Sequence, residues 1–251
     1  MKLTVNNLSL KKGRNDIVQH VTTAFDAGQL SCIIGVNGSG KSMLLKTLLG
    51  LEKGSGTVLL DQAPLSFSDL SYIPQGSEDL HLTVFEVILL GLHAELNWRV
   101  SSEQLTQVEH LLSDMRLSHL ADRDFSTLSG GQKQMILLAQ ALIKKPKVII
   151  ADEPTSALDL ANQLHYIETL KHYIKSQQAI GIIVLHDLTL TSRYADRLYV
   201  MQQGQLTAEG TVTDLMTRER LETLYDVKLE ISRTPAGFIS IIPIQPKETL
   251  L

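Results

Sequence analysis

Two glycine-rich stretches in the chain suggest the same chemistry, and only one of them is complete. GVNGSGKS, Gly35 to Ser42, has the spacing G-x-x-x-x-G-K-S between an apolar run, LSCII, and a helical run, SMLLKTLLG. Gly35, Gly38 and Gly40 let backbone N–H groups turn inward around phosphate oxygens at a helix N-terminus. Lys41 has the length and charge to sit between β- and γ-phosphates, and Ser42 offers a hydroxyl to Mg²⁺. The second stretch, TLSGGQKQ, Thr127 to Gln134, has serine, glycines and a following helix, but no lysine in the phosphate-loop register. KVIIADEP supplies carboxylates at the end of a buried strand: Asp152 as a partner of Mg²⁺, and Glu153 as general base for an attacking water. His186 ends IIVLHD at another strand's carboxyl edge, where an imidazole can bond a γ-phosphate or position water. Gln75, after LSYIP, carries an amide able to touch both a Mg²⁺-bound water and a moving loop.

Positioning these groups at one edge requires alternating strands and helices. KLTVNNLSL and VTTAFDAG alternate like short strands. LSCII, KVIIADEP and AIGIIVLHD are apolar runs of strand length without alternation, and helical periods follow each. Leu44, Leu45 and Leu48 mark one helix; Met135, Leu138, Ala139 and Leu142 mark another, stopped by Lys144, Lys145 and a proline. ANQLHYIETLKHYIKSQQ and LTLTSRYAD continue the helical runs, and RLYVMQQGQL and FISIIPI look like short strands in the tail. The pattern predicts an α/β fold with a mostly parallel sheet covered on both faces and ligands outside its carboxyl ends. From Thr83 to about Leu120 the character is mainly helical, with Leu105, Val108, Leu112 and Met115 on one predicted face, an insert between α/β segments.

Composition narrows the alternatives. The 251 residues are 43% hydrophobic and 20% charged with a formal net charge of −4, which fits a globular domain and disfavours a nucleic-acid binder. Cys32 is the only cysteine, so no internal disulfide forms and a reducing compartment is the easier fit. TVFEVILLGL and AIGIIVL fall short of the roughly 18 apolar residues of a membrane span, and MKLTVNNLSL lacks the form of a signal peptide. A cytoplasmic protein that reaches a membrane only through a partner is expected. His93, His110, His119, His165 and His172 show no metal-ligand spacing.

Taken together, the motifs resemble the ATP-binding cassette family of ABC transporters. GVNGSGKS is similar to the Walker A, YIPQ to the Q-loop, LSGGQ to the signature, VIIADEP to the Walker B, SALD to the D-loop and LHD to the switch histidine, in family order. The resemblance implies a P-loop NTPase cassette: a RecA-like core, an N-terminal antiparallel β subdomain and an inserted helical subdomain at about 83–145. Residues 1–251 would form a single ABC ATPase domain, with 211–251 as a short C-terminal extension. It implies nucleotide contacts along Gly35, Val36, Asn37, Gly38, Ser39, Gly40, Lys41, Ser42 and Met43, with Ser42, Gln75 and Asp152 around Mg²⁺ and Glu153, His186 and Gln75 serving hydrolysis. It further implies a head-to-tail homodimer with ATP sandwiched at the interface. Ser129, Gly130, Gly131 and Gln132 of each copy would complete the partner's pocket, and Asp159 would couple the two sites.

Two positions depart from the family pattern. Lys12 stands where an aromatic residue ordinarily stacks on adenine, and Met43 where a second hydroxyl commonly follows the serine. LTVFEVILLGL, LNWRVSSE, LSGGQKQMILLAQAL, TSALDLANQ and VLHDLTLTSRYADRLYVM resemble the branch serving bacterial importers of iron–siderophore, haem and cobalamin complexes, some of which take molybdate-type oxyanions. That implies membrane permease subunits as partners, a substrate-binding protein beyond them, and a location on the inner face of the membrane. Gln75 and the following GSEDLHLTV are expected to line the groove that receives a permease helix. A regulatory or nucleic-acid-associated cassette is the competing class; one cassette, no heptad run and no basic patch speak against it.

Overall fold

The computed structural model describes residues 1–76, 80–95 and 100–247, in two compact units, Met1–Leu65 with Ile180–Leu251, and Ser66–Ala179. In chain order the first unit opens with β1 (Lys2–Lys12), β2 (Asn15–Asp26), β3 (Leu30–Ile34), α1 (Lys41–Leu48), β4 (Ser55–Leu60) and β5 (Ala63–Pro64). The second unit contains β6 (Leu70–Ile73), α2 (Val84–Leu89), α3 (Ser102–Asp114), α4 (Gly130–Leu142), β7 (Val148–Asp152) and α5 (Leu160–Ser176). The chain then returns to the first unit with β8 (Ile180–Val184), α6 (Leu188–Tyr194), β9 (Arg197–Gln202), β10 (Gln205–Gly210), α7 (Val212–Leu215), α8 (Arg218–Tyr225), β11 (Val227–Arg233) and β12 (Ile239–Pro246).

Two sheets build most of the first unit. One is antiparallel in the order β2-β1-β4-β5; Leu3, Val5, Leu8 and Leu10 of β1 and Val18, Val21 and Phe25 of β2 turn inward, as alternation requires. The other runs β10-β9-β3-β8, with β3 parallel to both neighbours. All five residues of β3 and all five of β8 are buried, which explains why their sequences are apolar without alternation. β11 and β12 form a separate antiparallel pair.

In the second unit β6 and β7 pair in parallel, and β7 is buried throughout. The helices α2, α3 and α4 all begin with a capping box, Thr83 with Glu86, Ser101 with Gln104 and Ser129 with Gln132, in which side chain and backbone satisfy each other's open donors. The helical character of the insert is present, but α2 ends at Leu89 and tightens into a 3-10 turn over Leu90–Glu95. Leu105 departs from its predicted core face: it is 38% exposed, whereas Val108, Leu112 and Met115 are buried. Gln104 takes the inner position, drawn in by its bond to the Ser101 amide. Residues 77–79 of GSEDLHLTV and 96–99 of LNWRVSSE lie outside the described residues, as does the side chain of His93. Among the described residues no helix is long and apolar enough to cross a membrane.

Candidate functional site

The first unit supplies the phosphate loop. β3 and β8 run parallel in register, Ile33 opposite Val184, so Gly35 and His186 leave the same carboxyl edge. His186 is exposed, between β8 and Asp187, whose carboxylate caps α6 through the amides of Thr189 and Leu190.

Three features of the loop suit a phosphate. First, Gly40 enters α1 with φ 101° and no side chain caps the helix, so its leading amides stay available to an anion. Second, Lys41 is buried, its ammonium donating to the carbonyls of Gly35 at 2.9 Å and Val36 at 3.0 Å. Third, Ser39 is buried and its Oγ finds no hydrogen-bond partner among the described residues. Val36, Asn37 and Gly38 are exposed at the rim, and Ser42 and Met43 are half-buried on the first turn of α1. Lys12 ends β1 with its ammonium 2.9 Å from the carboxylate of Glu52, just beyond α1, and the hairpin's Ile17 carbonyl approaches Gly40.

The second unit holds the carboxylates. Ile73 of β6 lies opposite Ala151 of β7, so Gln75 and the pair Asp152 and Glu153 emerge from one edge. The Gln75 amide donates to the Glu153 carboxylate at 2.6 Å. Glu153 takes φ 49°, a left-handed conformation that costs a side-chain-bearing residue about 1–3 kcal/mol and that here aims its carboxylate at the glutamine. Asp152 is buried at the strand's last position. Burial, reinforced by the charge of Asp152, pushes the Tyr72 phenol up to about 12.

The signature stretch forms the head of α4. Ser129 is its N-cap, exchanging bonds with Gln132 (Ser129 N–H to Oε1 at 3.1 Å, Gln132 N–H to Oγ at 3.3 Å), and Gly130 and Gly131 open the first turn. Asp159 caps α5 and accepts from Asn162 twice, from its amide at 2.9 Å and its side-chain nitrogen at 3.0 Å. A Cβ placed on Gly131 would meet that same Asn162 nitrogen at 3.1 Å. Asn162 thus bonds Asp159 and packs beside the signature turn within the unit. Asn162 is not among the sequence-predicted site residues, although its place three residues after Asp159 is a capping signal.

Among the described residues no cluster of three or more His, Cys, Asp or Glu is set to hold a metal alone. Within the second unit, buried Asp152 and the Gln75 side chain are oxygen donors of the kind a Mg²⁺ uses when it takes most of its ligands from water and phosphate.

Residues 18–156 match the family described as ABC transporter. An uncharacterised ABC transporter ATP-binding protein of Methanocaldococcus jannaschii is 32% identical over 97% of this chain and 98% of its own length. The hemin import ATP-binding protein HmuV of a Ruegeria species is 36% identical over 94% of this chain and 95% of its own. Among solved structures, a transporter of proposed metal-chelate type in an inward-facing conformation superposes with TM-score 0.86 at 28% identity, covering 99% of both chains.

Proposed function

Because the chain belongs to the ABC transporter family, and is thereby an ATPase of the cassette fold with a P-loop NTPase core, we propose that it powers uptake of an iron chelate through a membrane permease. The observation that carries the cargo class is the 36% identity to a hemin import ATPase along nearly the whole of both chains. The likeness to a transporter of proposed metal-chelate type supports it. Haem and ferric siderophores are the two cargoes of that chemistry; cobalamin and molybdate-type oxyanions are the alternatives the test includes.

In this reading ATP lies on the loop Gly35–Ser42, its β-phosphate against the amides at the head of α1. Lys41 leaves the Gly35 and Val36 carbonyls for the phosphates. Ser42, Asp152 and Gln75 would be the residues to hold Mg²⁺, which would supply charge neutralisation to the phosphates. Glu153 accepts the proton of the attacking water, and His186 bonds the γ-phosphate. Gln75, which donates to the Glu153 carboxylate at 2.6 Å, would have to leave that bond to serve as a metal ligand, which would free the base. Lys12, held by Glu52, borders the base without stacking on it.

Cassettes of this family act as dimers on membrane permeases. We infer a homodimer in which Ser129, Gly130, Gly131 and Gln132 of one copy face the nucleotide of the other, with Asp159 and Asn162 behind them. ATP then bridges the copies, and its hydrolysis opens them. The chain would sit at the inner membrane face through its permease, with a substrate-binding protein on the far side. The test is to isolate the membrane complex and measure its ATPase with binding proteins loaded with haem, ferric siderophore, cobalamin or molybdate. Stimulation by an iron chelate is expected; stimulation only by cobalamin or molybdate, or absence of any copurifying permease, contradicts the proposal.

A further inference from the structure

Glu153 stands on a strained backbone, at φ 49°, and such a conformation persists only where its surroundings over-determine it. Gln75 holds the carboxylate from one side. On the other, the chain turns over residues 153–159 before α5 begins, and the bonds of that turn lead to one side chain. The Glu153 carbonyl accepts from the Ser156 amide at 3.3 Å and from the Ser156 hydroxyl at 3.1 Å. The Thr155 carbonyl accepts from the Leu158 amide at 3.2 Å. Gln163, in the first turn of α5, spans the whole: its side-chain nitrogen donates to the Thr155 carbonyl at 3.2 Å and to the Leu158 carbonyl at 3.1 Å. Thr155 and Leu158 are themselves buried. The oxygen of the same Gln163 amide is also buried, with no hydrogen-bond partner among the described residues. An acceptor left open in this way is costly, and an apolar side chain of equal length would avoid the cost. The glutamine is therefore explained by its two N–H donors.

We propose that Gln163 is a positioning residue for the base: by bracing the Thr155 and Leu158 carbonyls it fixes the turn that carries Glu153. The two N–H groups of one planar amide set the distance between the carbonyls they meet, and the Ser156 bonds pass that constraint to the Glu153 peptide. Without the brace, the backbone at Glu153 can relax toward an unstrained φ and turn the carboxylate away from the attacking water. A base must lie within hydrogen-bond reach of the proton it takes, so a small displacement is felt in turnover. Nucleotide binding, which depends on the loop Gly35–Ser42, is left as it was. Asn162, the neighbouring residue, has a separate task, since both its donors go to the Asp159 carboxylate.

The proposal rests on Glu153 acting as base, and the experiment separates the two. Steady-state ATP turnover of the assembled transporter is compared for wild type, Gln163→Met, Glu153→Gln, the double variant and Tyr166→Phe. The affinity of the full chain for a fluorescent ADP analogue checks folding and binding on each. If Glu153→Gln turns over near wild type, the base reading fails and the proposal with it. With that arm reduced, Gln163→Met should lower kcat about tenfold, and by no less than about threefold, with KM for ATP and ADP affinity within about twofold. In the Glu153→Gln background no base remains to be positioned, so the same substitution should cost less than about twofold, the non-additivity of residues that act through one another. Tyr166→Phe removes from the same helix a fully buried hydroxyl that has no hydrogen-bond partner among the described residues, and should change neither constant. Should Gln163→Met fail to fold, Gln163→Asn, whose amide falls one methylene short of the two carbonyls, takes its place under the same criteria. A kcat within about threefold of wild type, a loss confined to KM, a loss repeated in full in the double variant, or an equal loss in Tyr166→Phe would each overturn the proposal and leave Glu153 as the base.

Discussion

Gly35 and Gly38 lie in the same loop but are glycine for different physical reasons, so replacing each with alanine should give unequal losses. A Cβ on Gly35 would stand 2.2 Å from the Met201 carbonyl oxygen and 2.8 Å from Ser39 Oγ, inside the 3.0 Å that real Cβ contacts respect. Met201 belongs to β9, hydrogen-bonded in parallel to β3, so relief requires two paired backbones to part. Such overpacking costs about 1–3 kcal/mol, and the backbone obstacle puts Gly35→Ala at the upper end. Gly38 takes φ +78° with nothing within 4 Å of its Cβ position, so Gly38→Ala meets only left-handed strain; that is about 1 kcal/mol. A chain of this size loses about 2–4 °C of melting temperature per kcal/mol. Gly35→Ala should therefore melt about 6–12 °C below wild type, and Gly38→Ala about 2–4 °C below it. Thermal unfolding without nucleotide, followed by circular dichroism, reads both values. A Gly38→Ala loss equal to or greater than that of Gly35→Ala would refute the steric reasoning.

Other consequences can be checked with the same material. Ser129→Arg places a long cation where the N-cap hydroxyl receives the Gln132 amide; sedimentation with Mg-ATP should then show monomer where wild type shows dimer, and an ATP-dependent dimer would sink the shared-site reading. Glu86, which accepts from the Thr83 amide at 2.7 Å and its hydroxyl at 2.8 Å, is held below the ordinary glutamate range, first by the backbone bond and then by the side-chain bond. A depressed carboxylate stabilises the fold above its unfolded-state pKa and loses that contribution as pH falls through the folded value. Glu86→Gln should thus lower the melting temperature at pH 7 and converge with wild type at acid pH; a penalty that grows toward acid pH would contradict the capping role.

Much of this was legible in the sequence, because the informative signals are local. The buried strands β3, β7 and β8 show themselves as apolar runs too short for helices, and the phosphate loop and the carboxylates after β7 sit at their ends. A loop's spacing is nearly its geometry. What escaped depends on contacts distant along the chain. β4 and α8 carry weak periodic signals and are stabilised by partners: β4 by pairing with β1, α8 by its contacts with β11. Leu105 illustrates the same limit within one helix, since a capping glutamine took the buried position that hydrophobicity had assigned to it. Lys12 was readable as a departure, but its ion pair with Glu52 was not, because the two meet only once β1 lies beside α1.

The central claim is that Glu153 is the base of an ATP hydrolysis that this chain performs. Its most direct test is the turnover of Glu153→Gln in the assembled transporter, with ATP binding measured on the same preparation. The variant keeps the side chain's size and a carbonyl able to accept from Gln75, and removes only the capacity to take a proton. Turnover should fall by about 10²–10⁴, with ATP binding retained; turnover near wild type would contradict the account.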